Sequence, residues 1–144
     1  MPDARILITG SRSWSNSELL ADVLLDTWHD ATQNGYDSIV IVHGTADGAD
    51  TLADLWARGH GLEFETHEPN WEYCAPDCPP APGHRRTNRR GREFCPTAGH
   101  RRNQRMVDAG ADLVVAFPQG PATGTRDCMR RAEQAGLTVR AIDV

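Results

Sequence analysis

Three of the four cysteines in this chain, with two nearby histidines, have a spacing that suits metal binding. Cys74 and Cys78 form a Cys-x3-Cys pair, Cys95 follows in the same proline-rich segment, and His84 and His100 lie between and after them. Zn²⁺ in structural sites takes four Cys or His ligands in a tetrahedron, with no open position for a catalytic water. The pattern therefore predicts a structural zinc site of three cysteines and one histidine.

Either histidine could complete the ligand set, and His84 is the favoured one. It lies inside the segment that the metal must order, whereas His100 begins a predicted helix and could instead face a bound ligand. Residues 70–99 are rich in proline and glycine and lack helical or strand periodicity, so they predict an inserted loop. Loops this long are uncommon in compact domains, and a metal would order this one. The alternative is a loop with unliganded cysteines.

Arginine is concentrated in and after this loop, although the chain is acidic, with a net charge of −5. All 15 basic residues are Arg, and eight lie between His84 and Arg105, where Glu93 is the one acid. This asymmetry indicates an anionic partner. Guanidinium groups bind phosphate in a bidentate manner, and the acidic remainder disfavours a broad nucleic-acid face, so a small phosphorylated nucleotide fits better. The exclusive use of Arg could equally reflect a GC-rich genome.

The length of 144 residues and the 39% hydrophobic content suit one globular domain, which we expect residues 1–144 to form. No apolar run approaches the roughly 18 residues of a membrane span, and the N-terminus carries no signal-peptide pattern. We therefore expect a cytoplasmic protein, in which clustered cysteines favour metal binding over disulfides. Cys128 stands apart from the other cysteines and is expected to be a small core residue.

Apolar runs alternate with amphipathic segments along the rest of the chain. Strands are predicted at residues 5–9, 38–43, 63–68, 113–117 and 138–142, the third being more polar and nearer an edge. Helices are predicted from a capping box at residues 15–18 to Gly35, over a segment ending near Gly59, at residues 100–109 and at residues 125–135. This order predicts an α/β fold, a Rossmann-like doubly wound parallel sheet of about five strands with the Cys/His loop inserted after strand three.

The turns after the first, second and fourth strands are rich in glycine and hydroxyl side chains. Ligands of such sheets bind beyond the carboxyl ends of the strands. Glycine lets the backbone approach a ligand, and the following helix aims unpaired N–H groups at a phosphate. Residues 120–125 are the favoured phosphate-binding segment, although any one of these turns could simply be a structural connection. None matches the Walker pattern or the full dinucleotide motif.

Charged side chains in these turns could contact the ligand directly. Arg12 follows the first strand and could pair with a phosphate, or be an ordinary surface residue. Asp47 and Asp50 could accept hydrogen bonds from ribose hydroxyls or cap the second helix.

The turns, in this order, resemble the SLOG superfamily of Rossmann-like proteins, which includes DprA and the LOG phosphoribohydrolases, and within it the YspA-like branch. The matching segments are Ile-Thr-Gly-Ser-Arg at 8–12, His-Gly-Thr-Ala-Asp-Gly-Ala-Asp at 43–50, Ala-Gly-His-Arg-Arg-Asn at 98–103 and residues 117–125. The resemblance implies binding of a nucleotide or nucleotide derivative such as ADP-ribose, NAD or AMP. The ligand contacts that it implies are Gly10, Ser11, Arg12, Gly44, Asp47, Gly48, Asp50, Arg102, Asn103, Gly120, Gly124 and Thr125.

One departure from the family pattern bears on activity. The phosphoribohydrolase branch carries Pro-Gly-Gly-x-Gly-Thr-x-x-Glu, whose glutamate serves N-glycosidic bond cleavage, and here Cys128 takes its place. A thiol cannot stabilise an oxocarbenium-like transition state as a carboxylate can, and Asp127 is rotated by about 100° round the helix. We therefore favour ligand binding by a sensor or carrier over hydrolysis, and we assign no catalytic residues. A LOG-like nucleoside 5′-monophosphate phosphoribohydrolase, with Asp47 or Asp50 supplying the carboxylate, is the alternative.

A second alternative is DprA-like nucleic-acid binding through the arginine-rich loop. The lack of aromatic residues among those arginines counts against it, since only Phe94 could stack on a base. The resemblance also implies that the protein forms a homodimer.

Overall fold

The computed structural model describes residues 2–75, 78 and 84–142. In chain order its elements are β1 (Ala4–Gly10), α1 (Ser17–Gln33), β2 (Ile39–His43), α2 (Ala49–Gly59), β3 (Glu63–Thr66), β4 (Arg86–Thr87), β5 (Glu93–Phe94), α3 (Ala98–Ala109), β6 (Leu113–Phe117), α4 (Thr123–Gln134) and β7 (Val139–Ala141). Among the described helices, none combines the length and the apolar character that crossing a membrane requires.

Five strands form one parallel sheet in the spatial order β3-β2-β1-β6-β7. Successive side chains of a strand point to opposite faces, and β1 shows the result. Ile6 and Ile8 pack with α1 and α2 on one face, whereas Leu7 packs with Met106 of α3 and Cys128 of α4 on the other. Both faces of the sheet are therefore covered by helices, which confirms the predicted doubly wound α/β fold.

The edge strand β3 is tied to the centre of the sheet by a charged side chain. Arg5 on β1 donates two hydrogen bonds, of 3.0 and 2.9 Å, to the carboxylate of Glu65 on β3. The more polar third strand lies at the edge, as its composition predicted, and ends at Thr66, earlier than the predicted residue 68.

Three details differ from the sequence prediction. The N-cap of α1 is Asn16, whose side chain accepts a hydrogen bond from the Leu19 N–H at 3.0 Å, so the predicted capping box beginning at Ser15 is wrong. The inserted loop, where no strand was expected, contains the β4–β5 antiparallel hairpin. The helices α3 and α4 each begin two residues earlier than predicted, at Ala98 and Thr123, because the glycines in their first turns are accommodated within the helix.

Candidate functional site

A cavity of about 530 Å³ opens at the carboxyl ends of β1 and β6. The order of the sheet reverses between these two strands, because β2 and β3 continue from β1 on one side while β6 and β7 lie on the other. Open α/β sheets bind ligands at such a position. The lining comes from the turns after β1, β2 and β6 and from the first turns of α3 and α4, so one cavity unites the three turns of interest.

Most of the ligand contacts implied by the resemblance are part of this lining. They are Gly10, Ser11, Arg12, Asp50, Arg102, Asn103, Gly124 and Thr125. The other implied contacts, Gly44, Asp47, Gly48 and Gly120, are outside the lining of the cavity. Gly44 and Gly48 instead shape the turn behind the cavity wall, whereas the side chain of Asp47 is exposed.

The turn after β1 packs closely against the start of α2. A side chain at Gly10 would collide with Ala49, so glycine allows α2 to approach the strand. Ser11 is buried: its N–H donates to the Phe117 carbonyl at 3.0 Å, and its own carbonyl accepts from Ala49 N–H at 3.3 Å. Arg12 follows as an exposed side chain at the rim of the cavity.

Asp50 lies in the first turn of α2 and is almost completely buried, with 4% of its surface exposed. Its Oδ2 accepts hydrogen bonds from the N–H groups of Gly44 at 3.1 Å and Ala46 at 3.2 Å. Its Oδ1 is the only buried side-chain nitrogen or oxygen without a hydrogen-bond partner in the described part of the chain. Burial raises the pKa of Asp50, because His43, Arg102 and the two N–H groups offset only part of the lost hydration.

His43, like Asp50, accepts a hydrogen bond from the backbone of the turn after β2. Its Nδ1 accepts a hydrogen bond from the Thr45 N–H at 3.0 Å, so Nε2 carries the ring proton and donates to Asp54 at 2.6 Å. Thr45 has a φ of 62°, in the left-handed region that non-glycine residues rarely adopt. The histidine therefore fixes an unfavourable backbone conformation beside the cavity.

Two consecutive residues of α3 reach the cavity from the opposite side. Arg102 is buried and donates from Nη1 to the Gly44 carbonyl and from Nε to the Asn103 side chain at 2.9 Å. Burial lowers the pKa of Arg102, and the charge of Asp50 opposes this effect. Asn103 in turn donates to the Gly124 carbonyl at 3.1 Å, which attaches α3 to the start of α4.

The start of α4 has the properties of a phosphate-binding turn. Ala122 precedes the helix with a left-handed φ of 45°, and Thr123, Gly124 and Thr125 line the cavity. The first N–H groups of a helix lack partners within it and carry the positive end of the helix dipole. Since α3 also begins at this cavity, with Gly99 and His100 in the lining, two helix N-termini meet at one space.

Cys128 occupies the position of the family glutamate. Neither Cys128 nor the adjacent Asp127 lines the cavity. The thiol of Cys128 is completely buried, and burial raises its pKa to about 11. Asp127 accepts hydrogen bonds from Arg130 at 2.6 Å, Arg131 at 2.9 Å and Asn103 at 3.1 Å. Burial alone would raise the pKa of Asp127, but these bonds and the nearby charges outweigh it and lower that pKa. Asp127 therefore connects α3 to α4.

A second group of chemically active side chains lies in the inserted loop. Ligand atoms of Cys74, Cys78, His84 and Cys95 all lie within 4.8 Å of one another. The sulfur atoms of Cys78 and Cys95 are 3.8 Å apart, and His84 Nε2 lies 3.1 Å from the Cys95 sulfur. A tetrahedral site with Zn–S bonds of about 2.3 Å places its sulfur atoms about 3.8 Å apart. The donor set therefore fits zinc, and His100 belongs to the cavity lining instead.

Side chains around this Cys/His cluster favour the thiolate form of Cys95, whereas burial raises the pKa of Cys74. Arg101 lies 3.4 Å from the Cys78 sulfur and 3.6 Å from the Cys95 sulfur, and Arg85 lies 3.3 Å from the Cys74 sulfur. Burial tends to raise the pKa of Cys95, but hydrogen bonds from Thr97, His84 and Arg101 outweigh it and lower that pKa to about 5. Such outer contacts orient and stabilise metal ligands.

Comparison with known proteins gives two concordant matches. Residues 4–73 match the model of the YAcAr family, described as the YspA, cpYpsA-related SLOG family. Over 140 residues the chain is 39% identical to the Gene 61 protein of Mycobacterium phage D29, covering 94% of this chain and 93% of that relative. This chain belongs to the YspA-related SLOG family. The family match ends at Tyr73, immediately before the first cysteine of the cluster.

Two solved structures share the fold of this chain. DNA processing protein A (DprA) from Streptococcus pneumoniae superposes with a TM-score of 0.68 and 18% identity, covering 99% of this chain and 51% of that protein. The chain thus spans about half the length of DprA. The protein TM1055 superposes with a TM-score of 0.57 and 19% identity, covering 94% of this chain and 72% of that one.

Some residues of this SLOG cavity were absent from the sequence prediction. Trp71 and Pro96 of the inserted loop contribute to its lining, as does Gln119 after β6. Trp71 lies close in sequence to the Cys74 pair, and a large aromatic residue there was the available signal. His43 ended a predicted strand and began one of the matching segments but was assigned no role, and its hydrogen bond to Asp54 depends on packing between β2 and α2 that sequence spacing does not reveal.

Proposed function

We propose that this protein binds a nucleotide or nucleotide derivative, such as AMP, ADP-ribose or NAD, in the cavity at the carboxyl edge of the sheet, as a ligand sensor or carrier. The observation that carries the proposal is the buried Oδ1 of Asp50, which lacks a hydrogen-bond donor. A buried acceptor without a donor is costly, and a ribose hydroxyl would supply one.

The other side of the same cavity suits a phosphate group. Arg12 and Arg102 line it, and the N-termini of α3 and α4 meet there. Guanidinium groups and unpaired helix N–H groups are the common phosphate ligands of proteins. An acceptor for hydroxyls beside donors for phosphate is the complement of a phosphorylated sugar.

The binding proposal is tested by isothermal titration of AMP, ADP-ribose and NAD into metal-loaded protein. We expect Asp50→Asn to weaken binding of the ligand that binds by at least about 10-fold, because the variant keeps an oxygen for the turn N–H groups but replaces the free acceptor with a donor. The matched control is Asp26→Asn, an exposed aspartate of α1, which should retain the wild-type affinity. The absence of binding for all three nucleotides would contradict the proposal.

We propose Zn²⁺ as the ion of the Cys/His cluster, with a structural role. Three thiolates and one imidazole suit zinc, and a complete set of four protein ligands leaves no position for substrate. Elemental analysis of protein purified without chelators should give about one zinc per chain. Cys95→Ser should lower this content strongly, whereas Cys128→Ala, outside the cluster, should not. Iron in place of zinc, or no metal, would contradict this assignment.

Hydrolysis of an N-glycosidic bond is the second candidate function, and Asp50 favours it. Its carboxyl lines the cavity and its pKa is raised by burial, a property of groups that exchange protons in catalysis. Water would form the new bond to the ribose carbon as the bond to the base breaks, and the base would leave with a proton. Chromatography of AMP incubated with excess protein should then show free base, and Asp50→Asn should abolish it. No base release from the wild type would exclude this activity towards AMP.

The β4–β5 hairpin supports nucleic-acid binding as a third candidate. It carries exposed Arg86, Arg89, Arg90 and Arg92, and the fold is shared with a protein named for DNA processing. Binding of a single-stranded oligonucleotide, with an affinity that falls steeply as salt increases, would support this function. Retention of that binding in a variant with Arg86, Arg89 and Arg90 changed to Ser would argue against the hairpin as its site.

A further inference from the structure

A second cavity, of about 560 Å³, lies beside the first and shares two of its walls. Arg12 and Trp71 line both cavities, so the two spaces are adjacent. The inserted loop also lines the second cavity through Glu72, Glu93 and Phe94. Each volume falls within the range of about 300–1,000 Å³ that is usual for small-ligand sites. A ligand anchored in the first cavity can therefore extend past Arg12 into the second.

Two aromatic rings form a wall of the second cavity. The rings of Trp71 and Phe94 meet edge to face, with centroids 5.9 Å apart and an interplanar angle of 85°. Both side chains are only half-buried, so part of each ring surface remains accessible. Flat heteroaromatic groups stack on such surfaces.

The charges of the two cavities differ in a way that separates the parts of a nucleotide. Arg12 and Arg92 of the second cavity are matched by Glu72 and Glu93, and Arg92 Nη2 lies 3.0 Å from Glu72 Oε1. The first cavity instead combines two arginines and the single carboxylate of Asp50 with two helix N-termini. Phosphate is therefore favoured in the first cavity, and a neutral ring is favoured in the second.

The aromatic wall is held at a fixed position by the Cys/His cluster and by α3. The Trp71 carbonyl accepts a hydrogen bond from the Cys95 N–H at 2.6 Å, and Phe94 directly precedes that cysteine. The Trp71 ring also packs on α3, where a side chain added at Gly99 would meet it at 3.3 Å. The wall is thus preorganised, which lowers the entropic cost of binding a ring against it.

We propose that the second cavity is the base subsite, in which the purine or pyrimidine ring of the ligand stacks against Trp71 and Phe94 while its phosphate lies in the first cavity. This assignment rests on the proposed nucleotide-binding function. It makes the inserted loop a determinant of ligand choice, because the loop discriminates ligands that carry an aromatic base from sugar phosphates that do not.

The test compares AMP with ribose 5-phosphate, which has the phosphate and the sugar but no base. Isothermal titration of metal-loaded wild-type protein should show AMP binding about 10-fold or more tightly than ribose 5-phosphate. Phe94→Ala should remove most of that difference by weakening AMP, with ribose 5-phosphate changed less than about twofold. Phe64→Ala, an exposed aromatic residue of β3 outside both cavities, is the matched control and should leave both affinities unchanged.

Conservative variants keep the test decisive if Phe94→Ala loses metal or fails to fold. Phe94→Leu keeps a large apolar side chain but removes the ring, and should weaken AMP, whereas Phe94→Tyr should keep the wild-type affinity. Equal affinities of the wild type for AMP and ribose 5-phosphate, or equal effects of the Phe94 variants on both, would overturn the base subsite and leave the proposed function standing. If neither compound nor any other nucleotide bound, both proposals would fail.

Discussion

The two carboxylate oxygens of Asp50 have different surroundings. One accepts N–H groups from the turn after β2, and the other is buried without a partner. From the sequence, Asp50 could be expected to contact ribose or to cap α2. It does not cap the helix end, where Gly48 is the N-cap residue and no side chain bonds to it. Which oxygen is unpaired depends on how the turn folds round the carboxylate, and the spacing of residues carries no information about this.

Gly48 lies against the backbone of the turn after β1. It has a φ of +76°, and a side chain there would collide with the backbone carbonyls of Ser11 and Arg12, whereas Gly35, at +96°, has no atom within 4 Å of such a side chain. We expect Gly35→Ala to lower the free energy of unfolding by about 1–2 kcal/mol. Gly48→Ala should lower the free energy of unfolding by about 1–3 kcal/mol more than Gly35→Ala does, because the backbone must move. Urea denaturation gives both values, and equal losses would contradict the close contact.

The inserted loop contributes to both cavities, although most of its described residues lie outside helices and strands. The sequence predicted a loop over residues 70–99 with Cys/His donors, because proline and cysteine are strong local signals, although Ala98 and Gly99 belong to α3. It did not predict the β4–β5 hairpin, since each strand has two residues and neither shows a periodic pattern. It also could not place Trp71 in both cavities, because that position follows from the hydrogen bond to Cys95 across the folded loop.

Metal removal should expose the loop cysteines selectively. In zinc-loaded protein we expect slow reaction of all thiols with an aromatic disulfide reagent, because bound thiolates are protected. A chelator should make three thiols reactive, while Cys128 stays unreactive because it is completely buried and burial raises its pKa to about 11. Spectrophotometric counting of the released thiolate checks this. Three fast-reacting thiols before chelation would show that the cluster does not hold the metal.

The link between β1 and β3 predicts a pH dependence of stability. Hydrogen bonds from Arg5 and then His67 lower the pKa of Glu65 from 4.5 to about 2. A carboxylate with a lowered pKa stabilises the fold above its unfolded pKa and loses this contribution as pH falls through the folded value. Glu65→Gln should therefore be less stable than the wild type by up to about 1 kcal/mol at pH 7, since the pair is partly exposed. The unfolding free energies of the wild type and Glu65→Gln should converge as pH falls from 4.5 to about 2. A difference between the two proteins that does not change with pH would contradict the link.

At the scale of the whole molecule, the sheet order decides where the turns meet. All five strands of the parallel sheet were predicted to within two residues at either end. The buried strands β1, β2 and β6 appear in sequence as short apolar runs. The alternation of strands and helices along the sequence then predicted the doubly wound arrangement. The volume of the cavity and the existence of a neighbouring one were beyond sequence reasoning, because they depend on how the loop packs against the first turn of α3.

Ligand binding at the junction of so many elements should stabilise the entire fold. A ligand at 100 times its dissociation constant contributes about 2.7 kcal/mol. For a domain of this size we expect a rise of about 10 °C in the unfolding midpoint. Differential scanning calorimetry with AMP should show this rise in the wild type and in Asp26→Asn, and a smaller one in Asp50→Asn at the same concentration. An unchanged midpoint at a concentration that titration shows to be saturating would indicate binding to the unfolded chain as well.

The neighbouring arginines of α3 serve different partners. Arg101 contacts the sulfur atoms of the Cys/His cluster, whereas Arg102 reaches back to the carbonyl of Gly44 in the turn after β2. For protein engineers, this means that the inserted loop cannot be exchanged independently of α3. Grafting it onto another Rossmann-like scaffold would require transplanting α3 as well, and we expect that exchanging it here for a loop from a relative would displace Arg102 from the cavity at the carboxyl ends of β1 and β6.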